Sequence, residues 1–150
     1  MPRGAAHVSI DASPDAVFPW LVEGERLLRW VGGLLEHEQL TPISVRQVLE
    51  PPFPGAGTVE VHLDVYLLHV PWRLETRLTG PGGLGADVAY VLAERDDGGT
   101  DLSALVRSKT SGPSAKGLLG PVVVAGVRRR MRADLGRLKE LAEADPAAYS

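Results

Sequence analysis

Four histidines are the first residues of this sequence that could carry acid–base or metal chemistry: His7, His37, His62 and His69. A metal site on a strand needs ligands close together on one face, such as residues two apart, and no pair of these histidines has that spacing. His62 and His7 lie on polar strand faces, where a histidine is typically solvated. His37 stands beside Glu38, where a general base is an open alternative. We therefore expect no metal ion and no cofactor.

Motifs for nucleophilic catalysis and phosphate binding do not occur in the sequence. There is no G-x-S-x-G, and nothing marks Ser111 or Ser114 as an activated nucleophile. The glycine-rich stretch 80–85 is not followed by Gly-Lys-Ser/Thr, so we interpret it as a flexible connection between strands. The chain has no cysteine, which excludes disulfides and a thiolate nucleophile and fits a reducing cytoplasm.

A run of arginines at 128–130 is the most conspicuous cluster of charge. Consecutive residues point around a helix, so we expect most of this run to be solvated, with an anionic headgroup or a partner surface as the alternatives. Arg130 neighbours Val127 and Met131 and is the one expected to approach the buried side. A buried arginine needs a carboxylate partner, which Asp134 could supply.

Alternation of polar and apolar residues predicts the strands that must position these side chains. The longest alternation runs from Thr58 to Leu67, with Val59, Val61, Leu63, Val65 and Leu67 on one face. One polar face on each strand is typical of an antiparallel sheet. We predict strands at 7–11, 34–40, 43–50, 58–67, 72–78, 87–95 and 100–109, separated by glycine- and proline-rich turns.

Helical signals occur in two places. Residues 13–15 (Ser-Pro-Asp) suit a helix N-terminus, and Pro19 should kink or shorten that first helix. A second short helix is predicted at 25–30. From Val124 to Ala142 the apolar residues step by three and four, which predicts a long C-terminal helix that starts between Ser114 and Pro121. Strands grouped together and followed by a helix define the α+β class.

Length and charge restrict the classes of protein that fit. The 150 residues suffice for one domain spanning 1–150. A net charge of −3 argues against a nucleic-acid partner, which usually requires a basic excess. The sequence has no apolar run of about 18 residues for a membrane span, and it has no secretory signal, so we expect a cytoplasmic protein.

Three short motifs connect these elements. The first leads a strand into a capped helix: Val8-x-Ile10-x-Ala12-Ser13-Pro14-x-x-Val17-x-x-x-Leu21. The second turns into the long strand: Pro54-Gly55-Ala56-Gly57-Thr58. The third starts the last strand at Gly98-Gly99-Thr100 and continues in the helix as Leu135-x-x-Leu138-Lys139-x-Leu141. Their order over nearly the whole chain resembles the SRPBCC superfamily, which includes START-related proteins and the polyketide cyclase/dehydrase-like group.

The resemblance implies a helix-grip fold of the α+β class. A curved antiparallel sheet of six to seven strands would surround the long C-terminal helix, with two short helices after strand 1 and an apolar cavity between sheet and helix. Members of the superfamily bind lipids, sterols, polyketides or other hydrophobic molecules, and some catalyse cyclisation or dehydration in the cavity. Fold alone does not separate these functions.

Binding of a small hydrophobic or amphipathic ligand, lipid- or polyketide-like, is the function that we expect, because no convincing buried carboxylate or histidine marks a catalytic site. The residues predicted to line the ligand site are Trp30, Gln47, Val61, Leu63, Val65, Trp72, Leu74, Thr76, Tyr90, Val106, Val127, Arg130 and Met131.

Two alternatives stay open. A polyketide cyclase/dehydrase-like enzyme would need a titratable group in the same cavity, for which His37, Tyr90 and Arg130 are the candidates. A co-chaperone-like interaction module would instead have a filled core and a large exposed apolar patch. An exposed sheet face or edge could also pair two copies into a homodimer.

Overall fold

A single antiparallel sheet organises the chain in the computed structural model, which describes residues 3–51, 55, 57–109 and 121–148. Within these residues the sheet has seven strands in the order β1-β7-β6-β5-β4-β3-β2. The strands are β1 (Arg3–Ile10), β2 (Leu34–Thr41), β3 (Ser44–Leu49), β4 (Val59–His69), β5 (Arg73–Thr79), β6 (Gly85–Glu94) and β7 (Thr100–Ser108). The sheet is curved, and the predicted α+β architecture is confirmed.

Three short helices connect β1 to β2: α1 (Pro14–Val17), α2 (Pro19–Val22) and α3 (Gly24–Trp30). The predicted cap is present, because the Ser13 hydroxyl accepts a hydrogen bond of 3.3 Å from the Ala16 amide. Pro19 divides the first predicted helix into α1 and α2, since proline suits the first turn of a new helix. Gly24 begins α3 instead of only ending the helix before it.

The C-terminal helix α4 (Pro121–Ala144) packs along β1. Its residues Leu135, Leu138 and Ala142 are buried in the core cluster that also contains Ile10. Beyond the end of β1, the Asp11 amide donates to the Glu143 carboxylate at 2.7 Å. The predicted start of this helix falls in a segment that is largely outside the described residues. Among the described residues, no helix combines the length and the hydropathy that crossing a bilayer requires.

Strand register decides which side chains face α4. Across the middle of the sheet, Thr76 pairs with Val88, and Val88 pairs with Val106. Residues paired directly across neighbouring strands point to the same face of a sheet. Since Thr76 is buried while its neighbour Arg77 is exposed, this row of three residues lies on the inner face.

A β-bulge in β4 changes the face of its last residues. Val65 pairs with Thr76, but Leu67 pairs with Glu75 and Leu68 pairs with Leu74. The prediction that Leu67 shares a face with Val65 is therefore wrong. The extra residue of the bulge turns Leu67 outward and brings Leu68 to the inner side, which strict alternation along a sequence does not reveal.

Candidate functional site

Several side chains on the inner face of the sheet keep part of their surface accessible. In a closely packed core, inward-facing apolar side chains are buried as completely as Val61, whose exposed fraction is 0%. Side chains that point inward and stay partly accessible are therefore the candidates for bordering a space between the sheet and α4. They are Leu63, Val65, Leu78, Val88, Tyr90 and Val106 on the strands, and Val127 and Met131 on the helix. Of these, Val65, Tyr90 and Met131 also pack against the core cluster.

The predicted site residues divide into two groups on this inner face. Val61, Leu74, Gln47 and Thr76 are buried and belong to the packed part of the interior. The half-accessible residues, which border the space, are Leu63, Val65, Tyr90, Val106, Val127 and Met131.

Trp72 lies outside the strand that was predicted to hold it. The strand β5 begins at Arg73, and the Trp72 amide instead donates to the His69 carbonyl at 2.7 Å within the β4–β5 turn. Pro71 has no backbone N–H to donate, which suits a turn better than a ladder. Trp72 is 37% exposed at this end of the sheet.

His37 and Gln47 form a polar pair on the inner side of β2 and β3. The two residues are opposite each other in the register, and the His37 Nδ1 lies 3.1 Å from the Gln47 amide nitrogen. Burial lowers the pKa of His37, so the ring is neutral at neutral pH and its Nδ1 can accept a hydrogen bond from the amide. The ring packs against Gly24, where an added Cβ would lie 2.4 Å from His37 Cδ2.

Tyr90 carries a hydroxyl deep into the inner face. Its ring meets Trp30 edge-on, with the ring centroids 6.3 Å apart and the planes at 79°. Trp30 is itself held by the bond from its indole N–H to the Trp20 carbonyl, at 2.7 Å. Burial, and secondarily the charge of Asp134, raises the pKa of Tyr90 to about 12, so the phenol is protonated and able to donate at neutral pH.

The Tyr90 hydroxyl has no hydrogen-bond partner among the described residues. Within that part of the chain, only the Trp20 indole nitrogen is both fully buried and without a partner. The Tyr90 oxygen therefore keeps contact with accessible space, although its surroundings raise its pKa as a deeply placed group. Thr76 differs, since its hydroxyl donates to the Val88 carbonyl at 3.4 Å.

Asp134 is a buried carboxylate that the sequence analysis did not place among the site residues. Its exposed fraction is 8%. One oxygen, Oδ1, accepts both from the Gly32 amide at 2.9 Å and from the Arg137 guanidinium at 2.8 Å. Burial raises the pKa of Asp134, although the Gly32 amide and the neighbouring arginines oppose that shift. No donor among the described residues reaches the other oxygen, Oδ2.

Arg130 approaches the half-buried side of α4, as predicted, but its partners are main-chain carbonyls. Its guanidinium donates to the Glu50 carbonyl and, at 3.4 Å, to the Gly32 carbonyl. The proposed ion pair between Arg130 and Asp134 is replaced by the pair between Arg137 and Asp134. The reason is the close approach of α4 to residues 32–33, where Gly33 has a φ of +77° and leaves room for the guanidinium.

The remaining predicted candidates lie away from this space or outside the described residues. His62 and His7 are exposed on the outer face, each 3.9 Å from a carboxylate, of Glu60 and Asp101 respectively. Among the described residues, no three metal-ligating side chains come together. Ser111 and Ser114 are outside the described residues.

A concavity of about 640 Å³ runs over the outer face of the sheet and reaches Val106 on β7 and Arg128 and Arg132 on α4. Ala5 and Ala89 lie on either side of Leu105 in one row of paired residues, and their short side chains leave a depression in the sheet surface. Its carboxylates Glu75 and Asp87 already form ion pairs with arginines. This trough is open to solvent along its length, whereas small-molecule sites bury most of the ligand. The inner face is therefore the stronger candidate for a small-molecule site.

The sheet wrapped around α4 places the chain in the helix-grip class of protein. Residues 1–143 match the family model described as polyketide cyclase / dehydrase and lipid transport. The chain therefore belongs to this family, which confirms the resemblance found in the sequence. No curated protein sequence matches the chain.

Solved structures support the fold over nearly the full chain. A START superfamily protein from Mycobacterium smegmatis is 15% identical, with a TM-score of 0.77, 94% of this chain covered and 97% of that one. A Chromobacterium violaceum protein is 17% identical, with a TM-score of 0.74 and coverage of 97% and 100%. CalU16 from Micromonospora echinospora is 23% identical, with a TM-score of 0.62 and coverage of 95% and 74%. At these identities the likeness concerns the fold alone.

Proposed function

We propose that this protein binds a small hydrophobic or amphipathic ligand, lipid- or polyketide-like, in the space between the sheet and α4. The observation that carries the proposal is the set of inward-facing apolar side chains that stay half-accessible. The family description, which names polyketide cyclases, dehydrases and lipid transport, supports the same ligand class. The absence of cysteine from the sequence fits work in a reducing cytoplasm.

Apolar walls and a few polar groups give the site the composition of a ligand pocket. Val65, Val88 and Val106 supply neighbouring parts of the wall. The pair of His37 and Gln47 is one polar group, on β2 and β3, and Tyr90 is another. Burying about 200 Å² of apolar ligand surface stabilises a complex by roughly 5 kcal/mol before the entropy of association is subtracted.

A matched pair of tryptophan substitutions in β6 tests this location. Val88→Trp places an indole in the space, whereas Val91→Trp places the same group on the outer face, because Val91 pairs with Arg73 and Ser103. Fluorescence titration with the neutral probe N-phenyl-1-naphthylamine should show binding to wild type and to Val91→Trp, and loss of binding by at least about tenfold in Val88→Trp. Equal affinity in both folded variants would contradict the proposed location.

A polyketide cyclase/dehydrase-like enzyme is the second candidate, and the buried Asp134 is the observation that favours it. A carboxyl group with a raised pKa beside the Tyr90 phenol is the kind of arrangement that general acid–base catalysis uses. Incubation with a poly-β-ketone thioester should then give a cyclised or dehydrated product that Asp134→Asn fails to form. Binding of that thioester by wild type without any product would exclude this candidate.

A pure interaction module receives less support. That alternative predicts a filled core and a large exposed apolar patch. The β4–β5 turn does expose Leu68, Val70 and Trp72. The half-accessible side chains between the sheet and α4 nevertheless count against a filled core.

A further inference from the structure

We propose that Tyr90 and Asp134 together select ligands that carry a hydroxyl group on an otherwise apolar body. In this arrangement the Tyr90 O–H donates to the hydroxyl oxygen of the ligand, and the ligand hydroxyl donates to Asp134 Oδ2. The inference rests on the proposed function, because it assumes that the ligand lies between the sheet and α4. It adds the chemical class of the ligand and a residue that decides specificity.

The first half of the arrangement is a hydrogen-bond donor without a protein acceptor. Among the described residues nothing accepts from the Tyr90 hydroxyl, and its oxygen keeps contact with accessible space. The edge-on contact with Trp30 and the packing of Tyr90 against the core cluster orient the ring. A donor that is deeply placed, fixed and without a partner favours an acceptor oxygen brought by a ligand, because an unmade hydrogen bond at such depth is costly.

The second half is an acceptor held in place by its other oxygen. Asp134 Oδ1 takes both available donors, the Gly32 amide and the Arg137 guanidinium, at 2.9 and 2.8 Å. These two bonds fix the carboxylate plane and leave Oδ2 without a donor among the described residues. Since the Trp20 indole nitrogen is the only fully buried side-chain atom there without a partner, Oδ2 also keeps contact with accessible space.

The two halves meet at the end of α3. Tyr90 contacts Trp30, and Asp134 contacts Gly32, two residues further along the same segment. The two side chains also interact electrostatically, because the charge of Asp134 contributes to the raised pKa of Tyr90. No hydrogen bond between them is present among the described residues, and we place there a ligand group that both accepts and donates.

The charges around this position exclude other polar groups. Arg137 is bonded to Asp134 and to the Trp30 carbonyl, at 2.8 and 3.2 Å, and Arg130 is bonded to main-chain carbonyls. With both cations engaged, an anionic headgroup would meet the Asp134 carboxylate without a free partner. An ether or ketone oxygen accepts a hydrogen bond from Tyr90 but has no hydrogen to donate to Asp134. An alcohol or phenol satisfies both residues.

The test compares two probes that differ only in the hydroxyl hydrogen: 2-naphthol and 2-methoxynaphthalene. Calorimetric or fluorescence titration of the full-length protein should show 2-naphthol binding about tenfold more tightly, as a hydrogen bond to a charged group provides. Asp134→Asn should remove this preference, since its amide oxygen can still accept from Gly32 while its NH₂ replaces the free acceptor. Tyr90→Phe should weaken 2-naphthol binding, whereas Tyr66→Phe on the outer face should not.

The outcomes separate this inference from the proposed function. If wild type binds both probes equally and Val88→Trp blocks both, the space holds ligands but the hydroxyl selection is wrong. If neither probe binds wild type, the proposed function fails and the inference fails with it. If Asp134→Asn does not fold, judged by its circular dichroism, Tyr90→Phe decides: an unchanged affinity for 2-naphthol in that variant overturns the inference.

Discussion

Tyr90 and Asp134 are polar groups placed where apolar side chains would stabilise the fold more. A buried carboxylate and an unpaired phenol each cost free energy, and such groups concentrate at functional sites. In this protein they lie at the end of α3, next to the half-accessible inner face. Their position makes them the residues whose titration reports most directly on the site.

The phenol of Tyr90 should ionise well above the ordinary tyrosine pKa of 10.0. Burial raises its pKa to about 12, so the ultraviolet absorbance of tyrosinate should show one step near that pH. Tyr90→Phe should remove this step and leave the others. Tyr66→Phe should instead leave the step near pH 12 in place; a step near pH 12 that survives Tyr90→Phe would show that it does not belong to Tyr90.

Asp134 should make stability depend on pH with a definite sign. Because its pKa is raised above the ordinary value of 3.8, the folded protein holds this proton more tightly than the unfolded chain does. Asp134 therefore lowers the free energy of unfolding as pH rises from about 3.8 through the raised pKa, and the loss is then complete. Urea denaturation of wild type and Asp134→Asn across this range should show that the free energy of unfolding of the variant increases relative to that of wild type as pH rises. If the free energy of unfolding of the variant decreases relative to that of wild type instead, the folded state stabilises the ionised carboxylate.

Sequence reasoning found Tyr90 but not the role of Asp134. Alternation along β6 placed Tyr90 on the same face as Val88, and the register agrees. Asp134 lies four residues after Arg130 on α4, and this spacing predicted that the two would form an ion pair. Its actual partners, the Gly32 amide and Arg137, depend on how closely α4 approaches residues 32–33, which is a tertiary distance that no local pattern encodes.

The elements themselves follow from the sequence wherever one local signal dominates. The sequence predicted the right type of structure for three features: the strictly alternating strand β4, the helix cap at Ser13 and the long helix α4. The errors occur where one residue changes the local geometry. The bulge after Val65 turned Leu67 outward, whereas the division at Pro19 agrees with the expected kink or shortening of the first helix.

The junction of α3 with β2 depends on a glycine. Gly24→Ala would place a Cβ 2.4 Å from His37 Cδ2, so the ring must move away from Gln47. We expect a loss of roughly 1–3 kcal/mol in the free energy of unfolding, as for an overpacked core, and a rise of the His37 pKa towards its ordinary value of 6.5.

Gly136 in α4 is the matched control for this substitution. An added Cβ there meets nothing within 4 Å. Gly136→Ala should therefore stabilise the protein by up to about 1 kcal/mol through helix propensity. Thermal or urea unfolding measures both variants, and nuclear magnetic resonance follows the His37 titration. If Gly24→Ala is as stable as wild type with an unmoved His37 ring, the packing of α3 against β2 is not as described.

At the scale of the whole molecule, the order of elements was enough to predict the α+β class, and the resemblance to the superfamily supplied the helix-grip arrangement. Grouped strands followed by one long helix leave few arrangements in which the apolar face of each is covered. The sequence could not show which inward residues pack tightly, as Val61 does, and which stay partly accessible, as Val88 does. That difference arises from the curvature of the sheet and its distance from α4, which alternation does not specify.

The most direct test of ligand binding between the sheet and α4 is a methyl nuclear magnetic resonance titration with N-phenyl-1-naphthylamine. Val65, Val88 and Val106 on the inner face should shift together as the probe is added. Val91 and Leu105 on the outer face should stay in place. Shifts confined to the outer residues, with the inner valines unmoved, would contradict the proposed site.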